Sequence, residues 1–277
     1  MPALSPSRQA VRTMKTVLYE IRDEVAVITL NRPDRKNGLT AEMLSSLFVA
    51  LARADDDVSA RSVVLRGAGN VFSAGGDIAV ETKGDTGSKP LPDFGRMASV
   101  AIRTRKPTVA AIETYCIGGA LAIALLCDVR FAAPSTVFST AFTRIGVVAE
   151  LGIAWTLPRV VGTGAALDLL LSSRKLDTDE ALRMGLVNFV APSDRLQSDA
   201  HEYAHELAQR SPASMATIKA QLLAGYQESL DAAFVASDVR MADAVGEPDW
   251  VEGYQAFLAK RAPRFSALAA RDSNATT

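Results

Sequence analysis

Residues 113–133 read ETYCIGGALAIALLCDVRFAA. The pair Gly118-Gly119 opens an apolar run that carries no charge until Asp128. A run that is apolar on every face must be covered on every side, and Ile117 to Cys127 is too short to cross a bilayer. PTVAAIET (107–114) before it and VRFAAP (129–134) after it have the composition of buried strands. The stretch therefore predicts a strand, a buried helix entered through two glycines, and a second strand. Glycines at such a junction let backbone N–H groups face a ligand, with the helix dipole behind them.

The same order recurs upstream. TVLYEIR (16–22) and VAVITL (25–30) alternate around Asp23-Glu24 and predict a hairpin. NRPDRKNGL (31–39) is a loop by its Pro, Asn and Gly content. Thr40 then caps a helix over 41–57 whose apolar side is Met43, Leu44, Leu47, Phe48 and Leu51. SVVLRGAG (62–69) is a further buried strand, and 81–93 is a loop rich in Gly, Ser, Lys and Pro. Beyond about residue 160 strand signals nearly vanish and helices follow, among them 164–173, 178–185, 195–210, 213–227, 231–245 and 252–262. The fold class is α/β. We divide the chain into a flexible leader (1–15, with Met14 as an alternative start), a core (16–195), a helical C-terminal region (196–267) and a flexible tail (268–277).

Composition narrows the function. Thirty Lys and Arg against 31 Asp and Glu leave a net charge of −1, without the basic excess that nucleic acid or an anionic membrane would select. A charged substrate must be held by a few local side chains. Cys116 and Cys127 sit in apolar runs without metal spacing and read as reduced core residues of a cytoplasmic protein.

Two glycine turns carry candidate chemistry: FSAGGD (72–77) and IGGAL (117–121). Together they can aim two backbone donors at one oxygen, although glycine pairs usually just form turns. A second signal is GVVAELGIAW (146–155), where Glu150 is the only charge. An ionised carboxylate in apolar company either turns to solvent or serves chemistry.

In order along the chain, LNRPDRKNGLT (30–40), VVLRGAGNVFSAGGDI (63–78), ETYCIGGALAIALLCDVRFAA, WTLPRVVG (155–162) and EALRMGLVNFVAP (180–192) resemble the crotonase superfamily, the enoyl-CoA hydratase/isomerase group. The likeness runs from about residue 17 to 265. It implies a spiral of ββα units with a helical trimerisation region, assembled as a homotrimer or as a hexamer of paired trimers. It also implies an acyl-CoA thioester substrate and no metal or redox cofactor. The backbone N–H groups of Gly76 and Gly119 match the family's oxyanion-hole positions. Arg35 and Lys36 match the loop along the CoA, while Ala74, Asp77 and Ile78 match the segment whose backbone meets the adenine. Phe257 and Lys260, in AFLAK, match a pair that packs on the nucleotide and approaches its phosphates, often from a neighbouring subunit. Plain surface solvation is the alternative for Arg35, Lys36 and Lys260.

The chain departs from the family's hydratases at two places. Their two catalytic glutamates match Ala122 and Phe142, neither of which moves a proton. Glu150 falls instead where the family's isomerases carry a single acid. One carboxylate suffices to take a proton from C2 of a 3-enoyl thioester and return it at C4. An apolar setting would raise its pKa toward the working range. Pairing with Arg144 would lower it, and the plain alternatives are that Glu150 caps the helix near Gly152 or points to solvent. Hydration or another lyase or hydrolase reaction using Glu150, and an idle CoA-binding scaffold, are the rival readings.

HEYAH (201–205) satisfies the HExxH zinc pattern, but His201 and His205 are the only histidines, and the helix is polar and runs on into ordinary sequence. We expect no metal there. Asp128 reads as a turn-fixing residue, and Trp155 and Trp250 as core or subunit contacts.

Overall fold

The computed structural model describes residues 15–77 and 93–271. The expected leader (apart from Lys15), the 81–92 part of the expected loop, Ile78 and the last six residues of the expected tail lie outside the described residues.

Strands β1 (Val17–Arg22) and β2 (Val25–Leu30) pair antiparallel with Val17 opposite Leu30. The two residues between them, Asp23 and Glu24, both have positive φ, 49° and 62°, as a two-residue hairpin turn of this hand requires. Strands β3 (Ser62–Gly67), β4 (Thr108–Ile112), β6 (Val129–Ala132) and β8 (Phe189–Val190) add in parallel. The sheet order is β1-β2-β3-β4-β6-β8. A smaller parallel pair joins β5 (Tyr115–Ile117) to β7 (Val137–Ser139).

Strands β2 and β4 are buried along their whole length, so β2 is covered on both faces rather than alternating between core and solvent as expected. Period-two alternation splits their side chains between two cores. Ala26, Ile28, Leu30, Ala110 and Ile112 face helix α1 (Ala41–Asp56) and the buried helix α3 (Gly119–Ala124). Val25, Val27, Val109 and Ala111 face helix α7 (Leu196–Ala208), which presents Leu196, Ala200 and Ala204 at four-residue spacing. Thr40 caps α1 as expected, its side chain accepting from Met43 N at 3.2 Å, a contact worth ~1 kcal/mol. A short helix α2 (Phe94–Ala101) packs on α1.

The stretch that opens the sequence analysis differs from expectation in detail. The strand over 107–114 stops at Ile112; Thr114 takes a left-handed φ of 61°, and a new strand, β5, starts at Tyr115 in the second sheet. The helix after it is only six residues long, because Leu125 to Cys127 continue as a tight turn. Hydrophobicity marked these residues as buried but carried no information about where the chain bends, since all of them are covered whatever their conformation.

Helices α4 (Ile153–Val161), α5 (Thr163–Ser172) and α6 (Thr178–Arg183) precede β8. After α7 come α8 (Pro212–Gly225), α9 (Leu230–Ala244) and α10 (Pro248–Leu258). Lys219 of α8 ties this group to the sheet through Asp128 at 2.5 Å and the Lys106 carbonyl at 2.8 Å. Asp128 also accepts from Thr108 N at 2.7 Å, so it fixes the start of β4 against β6. None of the α9 side chains is buried, and Phe234, Val235 and Val239 stand exposed.

Candidate active site

Two chain segments run side by side through the site. Ser73 bridges Cys116 in parallel, with Ser73 N–H donating to Tyr115 O at 2.9 Å and Ile117 N–H to Ser73 O at 3.3 Å. Three residues on from that bridge, the first segment reaches Gly76 and the second reaches Gly119. On its other edge the first segment is clamped by Leu39. Leu39 N–H donates to Gly75 O at 2.8 Å, and Asp77 N–H donates to Leu39 O at 2.9 Å. Successive N–H groups of extended chain alternate sides. With the Asp77 N–H turned to Leu39, the Gly76 N–H faces the other way, toward the 116–119 segment.

That second segment is equally tied down. Gly118 has φ 58° and donates to Ser139 O of β7 at 2.9 Å. Gly119 follows as the first residue of α3, a position whose N–H has no partner inside the helix. No backbone carbonyl among the described residues takes it. The close approach of the two segments demands glycine: a Cβ on Gly75 would lie 2.6 Å from Ile117 O.

Glu150 reaches this point from another part of the fold. Its Oε1 lies 2.8 Å from where a Cβ on Gly119 would stand, and Leu39 Cδ1 and Leu151 Cδ1 flank the same spot at 3.3 and 3.7 Å. The loop that delivers it is bent by left-handed residues, with φ of 58° at Ala141, 72° at Gly146, 52° at Leu151 and 75° at Gly152. Leu151 is held in that conformation by burial of its side chain. Glu150 is not the N-cap of α4: that residue is Gly152, without a side-chain hydrogen bond, and the Glu150 carbonyl accepts from Ile153 N at 3.0 Å.

One expectation needs correction. The apolar stretch around Glu150 does not enclose it within one chain, because residues 143–150 are exposed and Val148 is 84% accessible. The apolar residues of 145–148 signal burial in the sequence, yet no described element of the chain covers them. Arg144 is exposed. Ala122 and Phe142 are both buried.

The candidate CoA residues divide into two groups. Arg35, Lys36, Ala74 and Asp77 line one groove of about 340 Å³ beside Gly75 and Gly76. Lys36 Nζ stands 5.2 Å from the Tyr115 ring centre. The carboxylate of Asp77 is buried and paired with Arg32 at 2.8 Å and Arg35 at 3.5 Å. The hydrogen bond from Arg32 holds the Asp77 carboxyl below its usual range. Part of the positive charge of Arg35 is therefore spent inside the chain. Phe257 instead lines a separate cavity between α8, α9 and α10, and Lys260 follows at the exposed end of α10. A single chain does not bring that pair to the groove.

Sequence reading missed Arg32, Asn37 and Ser73. All three lie in motifs it had quoted, but a side chain that serves a neighbouring loop leaves no periodic mark. The HExxH pair reaches back to the first hairpin. His205 Nδ1 contacts Asp23 O at 2.9 Å and His201 Nε2 stands 3.5 Å from Asp23 Oδ2, pinning α7 to the first hairpin. Among the described residues no group of three or more candidate ligands forms a metal site. Trp155 packs edge-on against Tyr226 at 5.4 Å, with Arg159 over its face at 3.9 Å, and Trp250 stacks on Tyr254 at 4.4 Å.

Comparison with known proteins places these features in a family. The family described as enoyl-CoA hydratase/isomerase matches residues 20–267. A probable enoyl-CoA hydratase of Mycobacterium bovis is 32% identical over 258 residues, covering 92% of this chain and 99% of that protein. The 1,2-epoxyphenylacetyl-CoA isomerase of Escherichia coli K12 is 31% identical over 261 residues, covering 91% and 99%. Among solved structures, a probable enoyl-CoA hydratase/isomerase from Mycobacterium abscessus superposes with a TM-score of 0.85 at 31% identity, covering 91% of this chain and 99% of that one.

Proposed function

The chain belongs to the enoyl-CoA hydratase/isomerase family, and from that premise we propose that it moves the double bond of a 3-enoyl-CoA thioester to the 2-position. Glu150 is the single proton carrier, and the Gly76 and Gly119 amides are the oxyanion donors. The observation that carries this reading is the carboxylate oxygen of Glu150 standing over Gly119.

The reaction balances with one acid. The Glu150 carboxylate takes a proton from C2; the C–H electrons form the C1–C2 double bond, and the carbonyl π electrons move onto oxygen. Two main-chain amides stabilise that oxygen without reorganising. The dienolate then reforms the carbonyl, draws the double bond to C2–C3, and takes the same proton back from Glu150 at C4. No atom is gained or lost, and no metal or redox group enters. General acid–base work of this kind contributes ~10²–10⁴ in rate. Ala122 and Phe142, standing where hydratases of the family carry acids, support a reaction that activates no water.

Hydration of a 2-enoyl thioester with Glu150 as the only acid is the second reading, and the names of most relatives favour it. In either case we assign Arg35, Lys36, Ala74 and Asp77 to the CoA, with Phe257 and Lys260 reaching it from a neighbouring subunit. The exposed apolar residues of α8 to α10 and of 145–148 support assembly as a trimer or a hexamer. We place the enzyme in the cytoplasm; among the described residues no helix is long and apolar enough to cross a membrane.

The test offers 3-trans-hexenoyl-CoA and crotonyl-CoA to the protein and to Glu150→Gln. Isomerisation that falls ~10²-fold or more in the variant supports the first reading. Hydration by the wild type without isomerisation overturns it in favour of the second. Tight CoA binding without either reaction overturns both.

A further inference from the structure

The Gly76 donor sits on a loop rather than at the end of a regular element, so something must hold its direction. Asn37 is fully buried and takes a left-handed φ of 52°. Every polar atom of its side chain is used. Its Oδ1 accepts from Arg32 N at 2.8 Å, and its Nδ2 donates to Ala68 O at 3.0 Å and Val71 O at 2.5 Å. These bonds fix the Asn37 carbonyl in space. Ser73, also fully buried, donates its hydroxyl to that carbonyl at 2.8 Å and accepts from Gly75 N–H at 3.2 Å.

A chain of hydrogen bonds thus runs from the Asn37 side chain to the peptide immediately before the donor. Gly75 has φ 92°, a conformation with little steric preference of its own in glycine. Its amide donates to the Ser73 hydroxyl, and that bond fixes the Ala74–Gly75 peptide plane, from which the φ and ψ of Gly75 lead into the plane that carries the Gly76 N–H. The Gly76 N–H shares its planar trans peptide with the Gly75 carbonyl and points opposite to it, so the Leu39 N–H holds that plane through Gly75 O while the Ser73 bond holds the plane before it. Ala74 N–H, which donates to Lys36 O at 3.0 Å, completes the lacing of the two loops.

We infer that Ser73 and Asn37 are positioning residues that aim the Gly76 amide at the thioester oxygen. Neither touches substrate; they act through Gly75. The inference deepens the proposed function and rests on Gly76 being a carbonyl donor, but not on which reaction follows.

The experiment separates those two dependences. Bound 2,4-hexadienoyl-CoA absorbs at longer wavelength when its carbonyl is polarised, whether or not it is turned over. Its spectrum and affinity are measured on wild type, Ser73→Ala, Ser73→Cys and Asn37→Asp, alongside S-butyl-CoA, a thioether with no carbonyl. Circular dichroism and melting temperature identify the folded variants, and Ser73→Ala, which only removes a buried hydroxyl, is the reference. The expected result is a red shift in wild type that shrinks in Ser73→Ala and partly returns in Ser73→Cys, with thioether affinity unchanged. Where turnover is measurable, kcat falls about 10-fold in Ser73→Ala with KM held, less than the ~10²-fold loss for deleting a donor outright. A red shift in Ser73→Ala equal to wild type overturns the inference. Equal losses of thioester and thioether binding overturn it too, since they mark collapse of the loop. A wild type with no red shift removes the donor and the inference with it. A red shift without isomerisation leaves the inference standing and sinks the isomerase reading alone.

Discussion

The Oε1 oxygen of Glu150 and the α-carbon of Gly119 are close enough that no side chain fits between them: a Cβ on residue 119 would meet that oxygen at 2.8 Å. The two residues are 31 positions apart in sequence. Their meeting makes one small volume, in which the proposed reaction needs a main-chain donor and a carboxylate side by side.

Gly119→Ala probes that volume with a single methyl. The atom it meets is the far end of a flexible side chain, and Ala is favoured over Gly in a helix by ~1 kcal/mol. We expect the variant to fold with an unchanged or slightly higher melting temperature, while kcat falls ~10²-fold as the carboxylate is pushed aside. Calorimetry and steady-state kinetics on the same preparation check it. Full activity in a folded variant would show that the Glu150 position is immaterial.

Gly75→Ala should behave in the opposite way. The new Cβ would lie 2.6 Å from the Ile117 carbonyl, which belongs to β5 and cannot swing away, and φ is 92°. The backbone conformation alone costs roughly 1–3 kcal/mol for a residue with a side chain. Urea unfolding should show a lower midpoint before any kinetic effect is considered.

Glu113 gives a pH-dependent prediction. It is buried, and desolvation pushes its carboxyl above the ordinary value of 4.5. An acid whose pKa is raised by folding contributes most at low pH, and that contribution is lost as pH rises through the raised value. Glu113→Gln should therefore melt higher than wild type at pH 8, with the difference shrinking toward pH 4. A difference that is flat across this range would contradict the burial account.

The histidine pair supplies a negative control. His201→Ala and His205→Ala remove the HExxH pattern and the contacts to Asp23 of the first hairpin. Activity should stay within about two-fold of wild type and be indifferent to zinc added after chelation, since no group of three candidate ligands forms among the described residues. A zinc-dependent rate would revive the metal reading.

Much of this was legible in the chain itself. The short apolar run VAVITL and the helical spacing after Thr40 placed the first strands and helix, because burial on one or both faces is a local property of a regular element. The glycine turns at 75–76 and 118–119 were visible for the same reason: only certain residues tolerate such bends. The second sheet escaped notice, since Tyr115–Ile117 and Val137–Ser139 are three residues each, too short to show a period. Asn37 and Ser73 were quoted but unremarked, because a side chain that satisfies the backbone of another loop needs only polarity and room.

Residue order and type sufficed to give an α/β chain of this family with one acid in an unusual apolar setting, because periodicity, glycine turns and charge are all read along a line. That Glu150 comes to rest on Gly119 rather than capping its own helix was settled only in three dimensions. The loop from Ala141 to Gly152 is steered by four left-handed residues and by the burial of Leu151, and the target lies across the fold. Where a flexible carboxylate stops depends on atoms from distant segments, and no local pattern encodes that meeting.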